Sequence, residues 1–481
     1  MKSFAKALLV ALLGALPAVV PTKAAEKTIA VISDIHLMAP SLLDSPDNQQ
    51  WKHDLANSKT MQELSATMLD LLVEKILTQR PDLLLITGDL TKDGEVESHH
   101  YVRERLDRIR NAGIKVYVIP GNHDRGFMER ALVYANDTST VAEQFNNATF
   151  AEFYKDYGYG SDTQRFDETT LNYVVEPIPG LTIIGLDTAI WCWYNTGAVE
   201  WACQQAIEAR KKGNVPILMQ HHPLMPHYYC QDEIFELSVP EDYPQVREQL
   251  ANAGIRAVLS GHTHASDIAR YTSTEGHDIF DISVGCPISY ACDYRVLKLD
   301  GQTLKVTTPS LCDDMNLQDK NFSSDAEYRL LISVKRWAEK WLATRNIIND
   351  FFTSELAYCF VLHAYGDEPG RPESESELAF FRIIYEIAGR ELSEDVVNML
   401  GWVQEVIKSM LGDYQDPEDP DNVIKDRELT IDMSFSSPVG INEIKTASAD
   451  DAWYTLQGMQ LEGKPSRPGI YIHQGRPSVI R

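Results

Sequence analysis

"TIAVISDIHL" (Thr28–Leu37) runs from a continuous apolar stretch straight into an aspartate and a histidine spaced two apart. Uninterrupted branched aliphatics are how a strand reads when its sheet is covered on both faces. Asp34 and His36 stand where that strand ends. Alone, the pair is an ordinary capped turn, because aspartate starts turns and loops tolerate histidine. What ends the other strands decides whether it is more.

Five further runs share the pattern: "DLLLIT", "KVYVIP", "LTIIGLD", "VPILMQ" and "IRAVLS". Amphipathic stretches lie between several of them, including "MQELSATMLDLLVEKILTQ" and "VESHHYVRERLDRIRNAG", the second closing on Gly113 as a C-cap. Lys27 to about Ser310 therefore reads as an α/β domain (α+β in the strict sense). Its last segments, "DIARYTS", "HDIFDISVG", "YRVLKLD" and "QTLKVTT", follow one another without helices and predict antiparallel strands. After about Asp313, residues 326–345, 350–365, 375–390 and 394–411 carry apolar residues at three- and four-residue spacing. Short connectors between them predict a helical bundle. The expected divisions are 1–25, 26–315, 320–412 and 413–481. The last begins with the acidic, proline-broken "DYQDPEDPD" and has no assigned structure.

The chain has 481 residues, 44% of them hydrophobic and 24% charged, as a folded protein of several domains should. A formal net charge of −26 repels phosphate backbones, so no nucleic-acid partner is expected. Lys2 and Lys6, the apolar Ala7–Val20 and the small residues of "PTKAAEK" read as a secretory signal. The apolar run is shorter than the roughly 20 residues a relaxed span needs. The expectation is a soluble periplasmic or secreted protein with no stable membrane anchor. Seven cysteines then face an oxidising compartment, and an odd count leaves at least one unpaired within the chain. Close pairs such as Cys192/Cys203 or Cys286/Cys292 would suit a disulfide; buried inert thiols fit equally well.

Each of five strand ends carries ligand-type residues: Asp34 and His36; Asp89; Asn122, His123 and Asp124; His221 and His222; His262 and His264. In an open sheet of such units, the loops at the carboxyl ends gather in one crevice. Imidazole with carboxylate suits zinc, iron or manganese, whereas calcium and magnesium favour oxygen. Asp34, His36, Asp89, Asn122, His221, His262 and His264 are too many for one ion and enough for two if one carboxylate is shared.

In order, Asp34-Ile35-His36, Gly88-Asp89, Gly121-Asn122-His123-Asp124, His221 and Gly261-His262-Thr263-His264 resemble the motifs of the calcineurin-like metallophosphoesterases. The resemblance implies a four-layer αββα sandwich holding two divalent or trivalent ions (Mn, Fe or Zn). Asp34, His36 and His264 would hold one, Asn122, His221 and His262 the other, and Asp89 would bridge them, with a hydroxide between. It implies His123 as the acid toward the leaving oxygen, with Asp124 orienting it. His36, and Lys92 three residues after Asp89, depart from the purple acid phosphatases; Asp124 departs from the 5′-nucleotidases. The class III cyclic nucleotide phosphodiesterases, including exported bacterial members with a helical C-terminal domain, are most similar. A phosphodiesterase acting on small phosphoesters is thus expected, with a phosphomonoesterase, a pyrophosphatase or a catalytically silent binder as alternatives. Oligomeric state is unassigned. His222 reads as fixed by turn packing, His53 and His227 as solvated loop residues, His99 and His100 as helical, and Asp187 as a turn former. His363 reads as part of an apolar helix, and the aromatic "WCWYNTG" as packing or a lid.

Overall fold

A computed structural model of the chain describes residues 26–126, 130–189, 191–343, 350–366, 401–402, 405–407, 409–410, 424–435 and four short β-segments after residue 452. The signal-like segment 1–25 and the predicted helix 375–390 lie outside these residues, as do most of 394–411 and the acidic linker. The chain divides into two compact units, one up to Ser434 and one from Phe435 to Arg481.

In chain order the strands of the first unit are β1 (Lys27–Ile32), β2 (Leu83–Ile86), β3 (Lys115–Val118), β4 (Leu132–Ala135), β5 (Thr138–Val141), β6 (Gln164–Arg165) and β7 (Tyr173–Val175). There follow β8 (Leu181–Gly185), β9 (Val215–Met219), β10 (Ala257–Ser260), β11 (Ile268–Thr272), β12 (Asp278–Ser283), β13 (Arg295–Asp300), β14 (Thr303–Thr307) and β15 (Glu428–Asp432). Two sheets result, ordered β15-β14-β13-β1-β2-β3 and β11-β12-β10-β9-β8-β7-β6. β1, β2 and β3 are parallel, as are β8, β9, β10 and β12, so the predicted strands all end on one side of their sheet.

The apolar runs are continuous because each strand has two dry faces. In β9, Ile217 and Met219 join the core between the sheets with Ile29, Val31 and Leu85, while Leu218 faces the second cluster. That cluster also holds Ala202 and Ala206 of the helix Ala198–Lys211 and Leu250 of the helix Tyr243–Asn252. Helices Ser65–Gln79 and Val96–Asn111 cover the other sheet through Met68, Leu72, Val102 and Leu106. Helix, sheet, sheet, helix is the αββα arrangement, stabilised by about 1.5–3 kcal/mol for each fully buried aliphatic side chain.

Past β14 the structure differs from the sequence reading. Helices Phe322–Ala343 and Asp350–Tyr365 lie in the same compact unit as the sheets, and they share a core with Tyr228, Cys230 and Ile234 of the loop after β9. The chain then returns as β15, antiparallel to β14, a strand not expected within 413–481. Its alternation buries Ile431 and Met433 against the first sheet. In the second unit, Trp453–Tyr454, Gln460–Leu461, Gly469–His473 and Arg476–Ile480 form an antiparallel sheet. All seven cysteines are buried, and none forms a disulfide with another.

His227 is not solvated. Its Nδ1 pairs with Asp267, its Nε2 lies 3.2 Å from Asp281, and Asp267 Oδ2 lies 3.1 Å from His363 Nδ1. This buried row ties the helix Asp350–Tyr365 to the second sheet. Burial alone would lower the His227 pKa, but the Asp267 and Asp281 carboxylates outweigh it and raise it to about 9. A histidine raised on folding stabilises fully below its unfolded value near 6.5 and loses that contribution as pH climbs through the folded one. Wild-type melting temperature should therefore fall more steeply between pH 6 and pH 9.5 than that of His227→Gln. Parallel curves from differential scanning fluorimetry would show that the row contributes no charge stabilisation.

Candidate metal centre

The strand ends are sewn together beyond the sheet. Asp34 N donates to the Gly88 carbonyl at 3.0 Å and His36 N to the Asp89 carbonyl at 2.8 Å, extending the β1–β2 pairing through both loops. Gly261 N donates to the His221 carbonyl at 2.8 Å, joining the β9 and β10 loops. Asp34, His36, Asp89, His262 and His264 all adopt positive φ, between 43° and 69°, a region costly for residues with a Cβ. Strain at five clustered polar positions is characteristic of a functional site. The approach is close enough that a Cβ on Gly121 would strike the Asp89 carboxylate, and one on Gly261 the Ser33 hydroxyl and Asp34.

Three overlapping groups of donor atoms face inward; one joins His36, Asp89 and His123, and the other two meet at Asp89. In the first of these two, Asp34, His36 and His264 come together, with the two imidazole Nε2 atoms 3.0 Å apart and His264 Nε2 3.3 Å from Asp34 Oδ1. In the second, Asp89 joins His221 and His262, with His221 Nε2 3.3 Å from Asp89 Oδ2. Asn122 Oδ1 lies 3.0 Å from His221 Nε2 and 2.9 Å from His262 Nδ1. His36 Nε2 is 3.5 Å from Asp89 Oδ2, so this carboxylate fronts both groups. Imidazole nitrogens facing one another beside buried carboxylates fit a divalent cation of the zinc, iron or manganese kind. His221 Nδ1 is engaged by the Thr87 carbonyl at 2.9 Å, leaving Nε2 for a metal. Burial holds His262 and His264 neutral, the state in which imidazole ligates, with His264 lowered to about 3.

His123 sits beside both groups with its backbone N–H on Asp89 Oδ1 at 2.8 Å. The carboxylate on its ring is not Asp124. His123 Nδ1 lies 3.0 Å from Asp93 Oδ1 and 2.7 Å from the Lys92 carbonyl. Asp124 instead accepts from Gly121 N at 2.8 Å, from Thr91 N at 2.9 Å and from the Thr91 hydroxyl, bracing the loop that carries Asn122. His99 Nε2, packed under the loop, lies 2.9 Å from the Asp124 carbonyl. Burial would pull the His123 pKa down, yet Asp89, Asp93 and the Lys92 carbonyl together raise it to about 9.

Sequence reasoning missed two residues here. Asp93, four after Asp89 in "GDLTKD", carried only spacing as a signal. Lys59 lines the cavities on both sides of the centre and comes from a loop with no motif. His222 is held by the Thr188 hydroxyl at 3.1 Å, and Asp187 forms a buried pair with Arg125 at 2.8 Å. His53 is exposed on a helix.

Residues 27–266 match the model of the calcineurin-like phosphoesterase family. A probable cyclic nucleotide phosphodiesterase of Rhodococcus erythropolis is 24% identical over 272 residues, which cover 55% of this chain and 72% of that protein. A 3′,5′-cyclic-nucleotide phosphodiesterase of Nostoc is 38% identical over 100 residues, 20% of this chain and only 30% of that one. Among solved structures, a dimetal phosphatase from Danio rerio aligns at 12% identity with a TM-score of 0.41, over 59% of this chain and 95% of that one.

If close approach of the loops sets the donor geometry, Gly121→Ala should lose bound metal although it removes no donor. Elemental analysis of the purified variant should show clearly less than the wild-type content; full occupancy would mean the loop gives way freely.

Proposed function

This chain belongs to the calcineurin-like phosphoesterase family through residues 27–266, and from that premise we propose that it is an exported phosphodiesterase acting on small diesters, cyclic nucleotides among them. The observation that carries the reading is one buried carboxylate, Asp89, fronting two donor groups while His123 stands against them with its Nδ1 held by Asp93. The names of the Rhodococcus and Nostoc relatives support the substrate class. The lysine-flanked apolar start supports export, and no helix among the described residues is long and apolar enough to cross a membrane.

Asp34, His36 and His264, with Asn122, His221 and His262 and the shared Asp89, would hold a pair of metal ions, which would supply Lewis acidity and a nucleophile at neutral pH. The chain's own residues do the rest. His123 fronts a cavity shared with Lys92 and Asp93. With Nδ1–H shared between the Lys92 carbonyl and Asp93, its Nε2–H is the proton the departing ester oxygen needs. Cations on Asp89 would cancel that carboxylate's share of the pull on His123, leaving Asp93 to keep the ring protonated. Asp124 keeps Asn122 and His123 in register by bracing their loop.

His123→Asn should retain metal while slowing diesters with alkoxide leaving groups by roughly 10²–10⁴-fold. Nitrophenolate leaves as a stable anion, so bis(p-nitrophenyl) phosphate should be affected far less. Asp93→Asn should reproduce that split in weaker form; Asp124→Asn should slow both substrate types together and lower the melting temperature. Comparing kcat/KM on a 3′,5′-cyclic nucleotide and the nitrophenyl diester, with metal content measured alongside, decides it. A split for Asp124→Asn and none for Asp93→Asn would reverse the assignment. No release of nitrophenol by the wild type with manganese, iron or zinc would end the hydrolytic reading.

A further inference from the structure

Three cavities open from the candidate centre: one of about 700 Å³ passes Asn122, His262 and Trp191, and the other two differ in their walls. One of these two, of about 520 Å³, holds His123 with Lys92, Asp93 and Arg130, and Trp51, Leu55 and Tyr134 also line it. The other, of about 400 Å³, also begins at His262 and His264, but runs to the helices Phe322–Ala343 and Asp350–Tyr365. Its far wall is Tyr228, Phe235, Trp337 and Phe360, with Val334 beside them. Phe235 stacks on Trp337 with ring centroids 4.5 Å apart, and Phe360 meets both edge-on at 5.5 and 5.8 Å. Lys59 lies where these two cavities meet, a cation placed to face an anion between them.

A phosphodiester has two arms. The one that departs must lie by its acid, which here is His123 in the 520 Å³ cavity. The other remains on phosphorus and needs room elsewhere. Given the phosphodiesterase reading, on which this rests, we propose that the aromatic cavity is the subsite for the retained arm and selects substrates whose phosphate carries a flat apolar ring. The volume lies within the roughly 300–1,000 Å³ of small-molecule sites. Aromatic walls hold planar rings by stacking, with little regard for ring identity. The helices after β14 thereby close one side of the site and set which diesters enter.

Bis(p-nitrophenyl) phosphate and methyl p-nitrophenyl phosphate share a leaving group and differ only in the retained arm. On the metal-loaded full chain, KM for the aryl diester should be about tenfold lower, as one stacked ring allows, after allowance for its two equivalent leaving groups. Val334→Trp, which fills the cavity, and Trp337→Ala, which removes its wall, should each bring that ratio close to one. Melting curves and metal content show whether either variant has simply lost its fold. Calorimetric binding of phenylphosphonate against methylphosphonate gives the same comparison without turnover. A preference for the phenyl ligand that Val334→Trp abolishes supports the subsite, even if no diester is hydrolysed, in which case the hydrolase reading alone fails. Equal affinity of the wild type for both ligands, or equal loss on both diesters with metal retained, overturns it.

Discussion

Asp89 is buried at the meeting point of two loops, its Oδ1 taking the His123 N–H and its Oδ2 facing His36 and His221. Burial pushes its pKa up, but His221, His123 and His36 outweigh that and hold it ionised, well below the usual carboxylate range. An ionised group in a dry site must be matched by positive charge or by well-aimed donors. The positive φ at Asp34, His36, Asp89, His262 and His264 and the missing Cβ at Gly121 and Gly261 follow from the same requirement. Several loops must be pressed around one carboxylate, closer than ordinary residues allow. The two sheets serve this arrangement, since parallel strands ending together deliver the loops to one place.

What could be read from the sequence was what is local. A strand buried on both faces announces itself by an unbroken apolar run, and a residue at its carboxyl end lies in the crevice wherever the strand sits in the sheet. That placed Asp34, His36, Asp89, Asn122, His221, His262 and His264 within reach of one another without any knowledge of strand order. The fold class followed from the same runs and the helical patterns between them.

Side-chain direction across loops was not legible. Asp124 is adjacent to His123, and adjacency made it the natural partner; the turn sends its carboxylate back to Gly121 and Thr91, and Asp93 reaches the ring from the neighbouring loop. His227 resembled a loop histidine because its partners Asp267, Asp281 and His363 are far away in the chain. β15 was missed because it pairs with β14 only after the whole helical region has intervened. Lys59 had no spacing to mark it. In each case the deciding contact joins segments that no periodicity connects.

Asp89 is proposed to be one carboxylate shared by two ions. Anomalous diffraction from manganese-loaded crystals of the full chain tests it directly. The account predicts two peaks roughly 3.5–4 Å apart, both within coordination distance of Asp89 and neither coordinated by His123. A single ion, or a pair in which Asp89 binds only one while His123 ligates the other, would contradict it.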